Sequence, residues 1–158
     1  MRIYQKTAAV VVALMAVIAA PVARGQFREV YSPTADAHVE IREALATAAK
    51  QHKRVILDFG GNWCGDCLVL DIYLHQFPNL GLLQNNYVLV DIDIGRYDKN
   101  LDLAAKYRIP LKLGVPALAV LDGEGRMLYS QRNGEFEKMG QVSGDAVTAF
   151  LEKWKPKR

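Results

Sequence analysis

Apolar positions along the chain switch between two spacings, and each switch marks an element. From Asp36 to about Gln51 they fall three and four apart. Ile41, Leu45 and Ala48 share one face behind Asp36, a residue suited to capping, so the spacing predicts a helix. Lys53-Arg54 ends it. Val55-Ile56-Leu57-Asp58-Phe59 follows as a compact apolar run with β-branched residues, the pattern of a buried central strand. Gly60-Gly61-Asn62 breaks that strand, and from Asp66 to about Gln76 the residues Leu70, Tyr73 and Leu74 recur at turn spacing, a second helix. Pro78 and Gly81 mark a break, with a further helical turn up to Gln84. Tyr87 to Ile94 then alternates Val88, Val90 and Ile92 against Leu89, Asp91 and Asp93, a second strand. Leu101 to Tyr107 is a short helix with Asp98 or Asn100 as its cap. Pro116 to Leu121 and Arg126 to Gln131 form a hairpin around Asp122-Gly123-Glu124-Gly125. Ser143 caps a last helix to about Trp154, with Val147, Phe150, Leu151 and Trp154 on one stripe.

Strands separated by helices run parallel, and a hairpin is antiparallel. The expected fold is therefore α/β: a mixed central sheet with helices on both faces, closed by a hairpin and a C-terminal helix.

Residues 1–25 stand outside this scheme. Arg2 and Lys6 precede an unbroken apolar run, Ala8 to Ala20, and Ala23-Arg24-Gly25 offers small residues before a cut ahead of Gln26. This is the pattern of a secretory signal peptide. The alternative, an uncleaved anchor, fits less well, because the run is short for a span of about 20 residues and Pro21 interrupts it. Residues 26–35, with Pro33 and no period, read as an irregular lead-in, and residues 36–158 as one domain. The protein is expected to be exported, and periplasmic if its source is a Gram-negative bacterium.

Removing the leader changes the electrostatics. Of 20 basic residues, Arg2, Lys6 and Arg24 lie in it, with none of the 17 acidic ones, so the remainder is formally neutral. The basic character belongs to the targeting segment and gives no case for nucleic acid binding. Lys153, Lys155, Lys157 and Arg158 read as a solvated tail favourably placed at a helix C-terminus. Neutral charge and the lack of a long extra segment point to a monomer.

The chain has two cysteines, Cys64 and Cys67. A bridge closing so short a loop restrains the unfolded chain little, so the pair is a poor staple and chemistry is the better explanation. Disulfide exchange needs a thiolate to attack and a second thiol near enough to release the mixed disulfide. A Cys-x-x-Cys that follows a strand and opens a helix supplies both. Unpaired N–H groups and the helix dipole stabilise the first thiolate. Cys64 is thus the expected nucleophile and Cys67 the resolving thiol. Metal is the rival. Structural zinc wants four ligands, and His38, His52 and His75 are scattered; copper(I) on the two thiolates stays open. Asp58 is an acid inside an apolar strand. Buried without a partner it would favour its neutral form and could trade a proton with Cys67 through water. At the end of the strand it would instead face solvent. Asp91 and Asp93 read as solvated or locally bonded acids, His75 as a surface residue, and Tyr73 and Trp154 as core.

The run Asp58-Phe59-Gly60-Gly61-Asn62-Trp63-Cys64-Gly65-Asp66-Cys67 resembles the active-site segment of the thioredoxin superfamily, and Gly114-Val115-Pro116-Ala117-Leu118 resembles its cis-proline loop. The resemblance spans roughly Asp36 to Trp154. It implies a cis Pro116 against the sulfurs and a Val115 backbone that pairs with an extended substrate segment. It also implies a Trp63 that shapes the docking surface. Without it, Pro116 would read merely as the start of a strand.

Three departures matter. Gly65-Asp66 stands between the cysteines, and a carboxylate there should disfavour the Cys64 thiolate, giving a more reducing couple than relatives with histidine at that place. Leu89 stands where a lysine often accompanies the buried acid. Ile109-Pro110-Leu111-Lys112-Leu113 lengthens the segment before Pro116, bearing either on partner choice or on nothing.

The expected function is dithiol–disulfide exchange with protein substrates, in the reducing direction and with no cofactor beyond the cysteines. A membrane-embedded electron donor or acceptor would be its other partner. The alternatives are a copper(I)-handling module and a redox-inert interaction domain, against which the intact cysteine pair argues.

Overall fold

The computed structural model describes residues 29–157, so the expected leader, residues 1–25, lies outside the described residues. The elements in order are α1 (Ala37–Gln51), β1 (Arg54–Gly60), α2 (Gly65–His75), α3 (Asn79–Asn86) and β2 (Tyr87–Asp93). After them come α4 (Leu101–Lys106), β3 (Ala117–Leu121), β4 (Met127–Ser130) and α5 (Gly144–Trp154). Single 3-10 turns occupy Leu111–Leu113 and Met139–Gln141. No helix among the described residues is long and apolar enough to cross a membrane.

The sheet order is β2-β1-β3-β4, with β1 parallel to β2 and antiparallel to β3, and β3 antiparallel to β4. β1 is an inner strand, and from Val55 to Gly60 every residue is buried, which is why its sequence is almost continuously apolar. Alternate side chains feed two cores. Val55, Leu57 and Phe59 pack with Ile41 and Ala44 of α1 and Leu103 of α4. Ile56, Leu118 and Val120 pack with Leu70 and Leu74 of α2, Leu83 of α3, and Val147, Phe150 and Leu151 of α5. Each fully buried aliphatic side chain contributes about 1.5–3 kcal/mol of transfer free energy, so truncating Leu57 to alanine would remove a large share of the net stability.

The caps explain the helix limits. The Asp36 carboxylate accepts from the His38 and Val39 N–H groups, and α1 closes on His52 in the left-handed region with φ of 53°. Ser143 accepts from Ala146 N–H at the start of α5. The far end of α5 is tied to the sheet: the Tyr87 hydroxyl donates to the Leu151 carbonyl at 2.5 Å, and the Arg54 guanidinium donates to the Trp154 carbonyl. Asn100, not Asp98, precedes α4, and its side chain makes no cap bond.

Two elements differ from the pattern reading. α3 is a full helix of eight residues, not an extra turn. It is pinned by Asn79, a buried polar residue whose amide donates to the Tyr73 carbonyl (2.9 Å) and accepts from the Thr148 hydroxyl (2.6 Å). Hydrogen bonding, not periodicity, orders this segment. The hairpin strands are shorter than expected, starting at Ala117 and Met127, and their register shifts between Val120 and Leu121.

Candidate active site

β1 delivers the chain to the site and α2 receives it. Gly60 closes the strand, Gly61 to Trp63 turn the backbone, and Cys64 occupies the N-cap of α2 with extended backbone, φ −94° and ψ 109°. The Cys67 N–H donates to Cys64 Sγ at 3.2 Å, so a free helix-end donor is aimed at that sulfur. Cys64 and Cys67 are joined by a disulfide with Cα atoms 5.2 Å apart. Cys64 retains 7% exposure and Cys67 none, an asymmetry that leaves only the first sulfur open to a visitor.

Val115 and Pro116 lie across from the pair. The Val115 carbonyl oxygen is 3.4 Å from Cys64 Sγ, and the Val115–Pro116 peptide bond is cis. A second cis bond, Phe77–Pro78, follows α2. Gly114 has φ of 117°, a conformation open to glycine and rarely to other residues. Gln131, fully buried beside β3, holds the loop from beneath: its amide donates to the Pro116 carbonyl (3.3 Å) and accepts from the Leu118 N–H (3.2 Å). Trp63 stands at the rim, 38% exposed, with Nε1 donating to the Gly95 carbonyl at 2.5 Å. The Tyr97 ring is 5.6 Å away and the Arg96 guanidinium 5.1 Å above the indole. Gly65, exposed, and Asp66, half-buried, sit in the first turn of α2. A Cβ at Gly65 would meet nothing within 4 Å, so space does not require glycine there.

Asp58 does not face solvent. It is 1% exposed, and its Oδ2 accepts from the Tyr31 hydroxyl at 2.8 Å, while Oδ1 has no hydrogen-bond partner among the described residues. Burial first, then the Asp91 and Asp71 charges, push its carboxyl well above the usual range; the Tyr31 bond works the other way. Burial likewise pushes the Tyr31 hydroxyl up, with the Asp58 charge next. Asp91, half-buried, is the register partner of Asp58 on the neighbouring strand. Asp93 is bonded locally, accepting from Gly95 N–H and pairing with Lys99 at 3.1 Å. Leu89 packs partly buried against the second core. His75 keeps part of its side chain exposed, with Nδ1 2.9 Å from the Asp71 carboxylate.

Tyr31 and Gln131 are the residues that pattern reading passed over. Tyr31 lies in the aperiodic lead-in, yet it is fully buried. Asn62 anchors it: Oδ1 accepts from the Val30 and Tyr31 N–H groups (3.0 and 3.1 Å), and Nδ2 donates to the Tyr31 carbonyl (2.7 Å). An aromatic beside Val30 in an otherwise aperiodic stretch was the available signal. Among the described residues no three His, Cys, Asp or Glu side chains converge, so a metal on the cysteine pair would have two sulfurs as its ligands.

The comparisons agree with this geometry. The family profile described as thioredoxin-like matches residues 36–123. The disulphide isomerase of Xylella fastidiosa Temecula1 is 34% identical, with 80% of this chain and 97% of that one covered and a TM-score of 0.76. The oxidised C-terminal domain of Neisseria meningitidis DsbD shares the fold at 23% identity and a TM-score of 0.54, with 75% of this chain and 96% of that one covered. The thiol:disulfide interchange protein DsbD of Colwellia psychrerythraea is 26% identical over 113 residues, 70% of this chain but 18% of that protein, so the chain spans under a fifth of this relative's length. With its sheet, its cysteine pair at a strand-to-helix junction and a matched region covering more than half its length, the chain belongs to the thioredoxin-like family and carries a redox-type cysteine pair.

Proposed function

We propose that the protein is a protein-disulfide oxidoreductase acting outside the cytoplasm, in the reducing direction. The observation that carries this reading is the asymmetric pair: Cys64 at the tip of α2, reached by an N–H donor, with Cys67 sealed behind it. In the reduced protein the Cys64 thiolate attacks a substrate disulfide. One substrate sulfur leaves as a thiol, and the other stays bonded to Cys64. Cys67 then loses its proton and attacks Cys64 Sγ. The Cys64–Cys67 bond forms, the mixed disulfide breaks, and two electrons have passed to the substrate. Asp58 takes the Cys67 proton: burial raises its carboxyl well above the usual range, which makes its carboxylate a stronger proton acceptor than an exposed one. The Val115 backbone at the loop edge pairs with an extended substrate segment, and exposed Trp63 forms the rim against which it rests.

The direction rests on Asp66, a carboxylate in the first turn of α2 that opposes the helix dipole at Cys64 and favours a reducing couple. Residues 1–25 supply the export signal, and the electrons come from a membrane-embedded dithiol donor. The fully thiol-reduced protein should reduce insulin in stoichiometric amount and turn over with a small dithiol. The Cys67→Ser variant should hold substrates on Cys64 as mixed disulfides that reductant releases. A wild-type protein that leaves insulin and other protein disulfides intact from pH 6 to 8 would refute the reading.

A further inference from the structure

We propose that Tyr31, ahead of the region the family profile matches, is a positioning residue that relays the Cys67 proton to Asp58; the inference rests on the oxidoreductase reading and names how its second step is completed. The geometry at Gly60 carries it. A Cβ built on Gly60 would stand 2.5 Å from the Tyr31 hydroxyl oxygen and 2.9 Å from Cys67 Sγ. Hydroxyl and sulfur thus both border the space that a side chain at residue 60 would fill, which places them within about 5.4 Å of each other. On its other side the same hydroxyl donates to Asp58 Oδ2 at 2.8 Å. Sulfur, phenol and carboxyl are thus neighbours in one closed site, and neither Tyr31 nor Cys67 has any exposed surface.

When Cys67 attacks, its proton must leave a site closed to bulk water. A phenolic hydroxyl both donates and accepts. The Tyr31 oxygen takes the proton from the Cys67 S–H as its own proton passes to Asp58 Oδ2. The phenol ends neutral, Asp58 ends protonated, and Cys67 is left as the thiolate that breaks the mixed disulfide. Electrons go from the dithiol to the substrate disulfide, and the substrate thiolate takes its proton from solvent. Re-reduction by the donor dithiol reverses the transfer: a donor thiolate attacks Cys64 Sγ, Cys67 leaves as thiolate, and the Asp58 proton returns to it through the Tyr31 hydroxyl.

The surroundings of the phenol are acidic throughout. Asp58 lies on β1, Asp91 on β2, and Asp71 with Cys67 on α2; all three carboxylates act on the Tyr31 hydroxyl. Such a field opposes a phenolate, so the hydroxyl acts by exchange and not by ionising. The three Asn62 bonds hold the backbone of Tyr31 two residues from Cys64, which fixes the relay to the loop that carries the nucleophile.

The test separates the second step from the first and needs no protein substrate. Cys64 is loaded as a mixed disulfide with thionitrobenzoate, and release of the coloured thiol is followed in single turnover from pH 5 to 9. Tyr31→Phe should slow release about tenfold and move its pH midpoint upward, while the rate of loading on Cys64 stays within twofold of wild type. Asp58→Asn should slow release as well, and the double variant should be no slower than Asp58→Asn alone, because the two groups act in series. Should Tyr31→Phe fold poorly, Asn62→Ala keeps the core and frees the segment, and it should show the same selective slowing. Release by Tyr31→Phe within twofold of wild type at an unchanged midpoint, or additive losses in the double variant, would overturn the relay. Failure of the wild type on protein disulfides would instead sink the functional reading and leave this measurement intact.

Discussion

Asp58 and Asp91 face each other in register across the parallel pair β1 and β2, one fully buried and the other half-buried. Two like charges on adjacent strands at a buried position cannot both be ionised cheaply. The consequence is a carboxyl that keeps its proton well beyond the usual range.

This has a measurable effect on stability. Asp58 binds its proton more firmly folded than unfolded, so folding takes up a proton above the ordinary value of 3.8. Stability is complete below that value and falls as pH climbs toward the raised one. Asp58→Asn should therefore melt a few degrees higher than wild type at pH 7, with the gap closing below pH 4. Equal melting temperatures at pH 7 would contradict the burial of a charge there.

Asp91→Asn should bring the Asp58 carboxyl back toward its ordinary range, because it removes the second-largest cause of the rise. Carboxyl carbon NMR titration of the oxidised protein would show the Asp58 midpoint moving down.

Gly60→Ala should harm both stability and exchange. The added methyl carbon would sit within 3.0 Å of a buried phenol and a buried sulfur, and neither can swing aside. Overpacking of this kind costs about 1–3 kcal/mol, which denaturant unfolding would register.

Gln131→Leu would leave the Leu118 N–H without its side-chain acceptor and the Pro116 carbonyl without its donor. Leaving buried groups unpaired costs about 1–3 kcal/mol. The loss should also raise KM for protein substrates more than it lowers kcat, since the loop that presents the Val115 backbone is no longer held.

Asp66→His should lower the pKa of Cys64 by replacing a carboxylate with a group that can be cationic at the positive end of α2. The pH midpoint of alkylation at Cys64 in the reduced protein reads this directly, and an upward move would contradict the electrostatic argument for direction.

Where period and cap chemistry agree, the sequence was enough. α1 and α5 lie where Asp36 and Ser143 with their apolar stripes put them, and β1 is the inner strand that its unbroken run requires. The cysteine pair opens a helix because a glycine break follows a strand, and that too was legible. What escaped has a different physical basis. Asn79 orders α3 through side-chain hydrogen bonds to residues distant in the chain, which leave no period. Asp91 looks like any alternating polar residue until the register places it opposite Asp58. Tyr31 sits in a stretch with no repeat, and its burial depends on a carboxyl 27 residues away. Long-range polar pairing is invisible to local pattern.

The bonds between Asn62 and the backbone at Tyr31 have a bearing on how such proteins are cut for study. A fragment starting at residue 36, where the recognisable homology begins, would keep every strand and helix among the described residues and both sulfurs. It would nonetheless open a hole beside the inner sulfur and strip the Asp58 carboxyl of the Tyr31 hydroxyl, so kinetics from that fragment would describe a different catalyst.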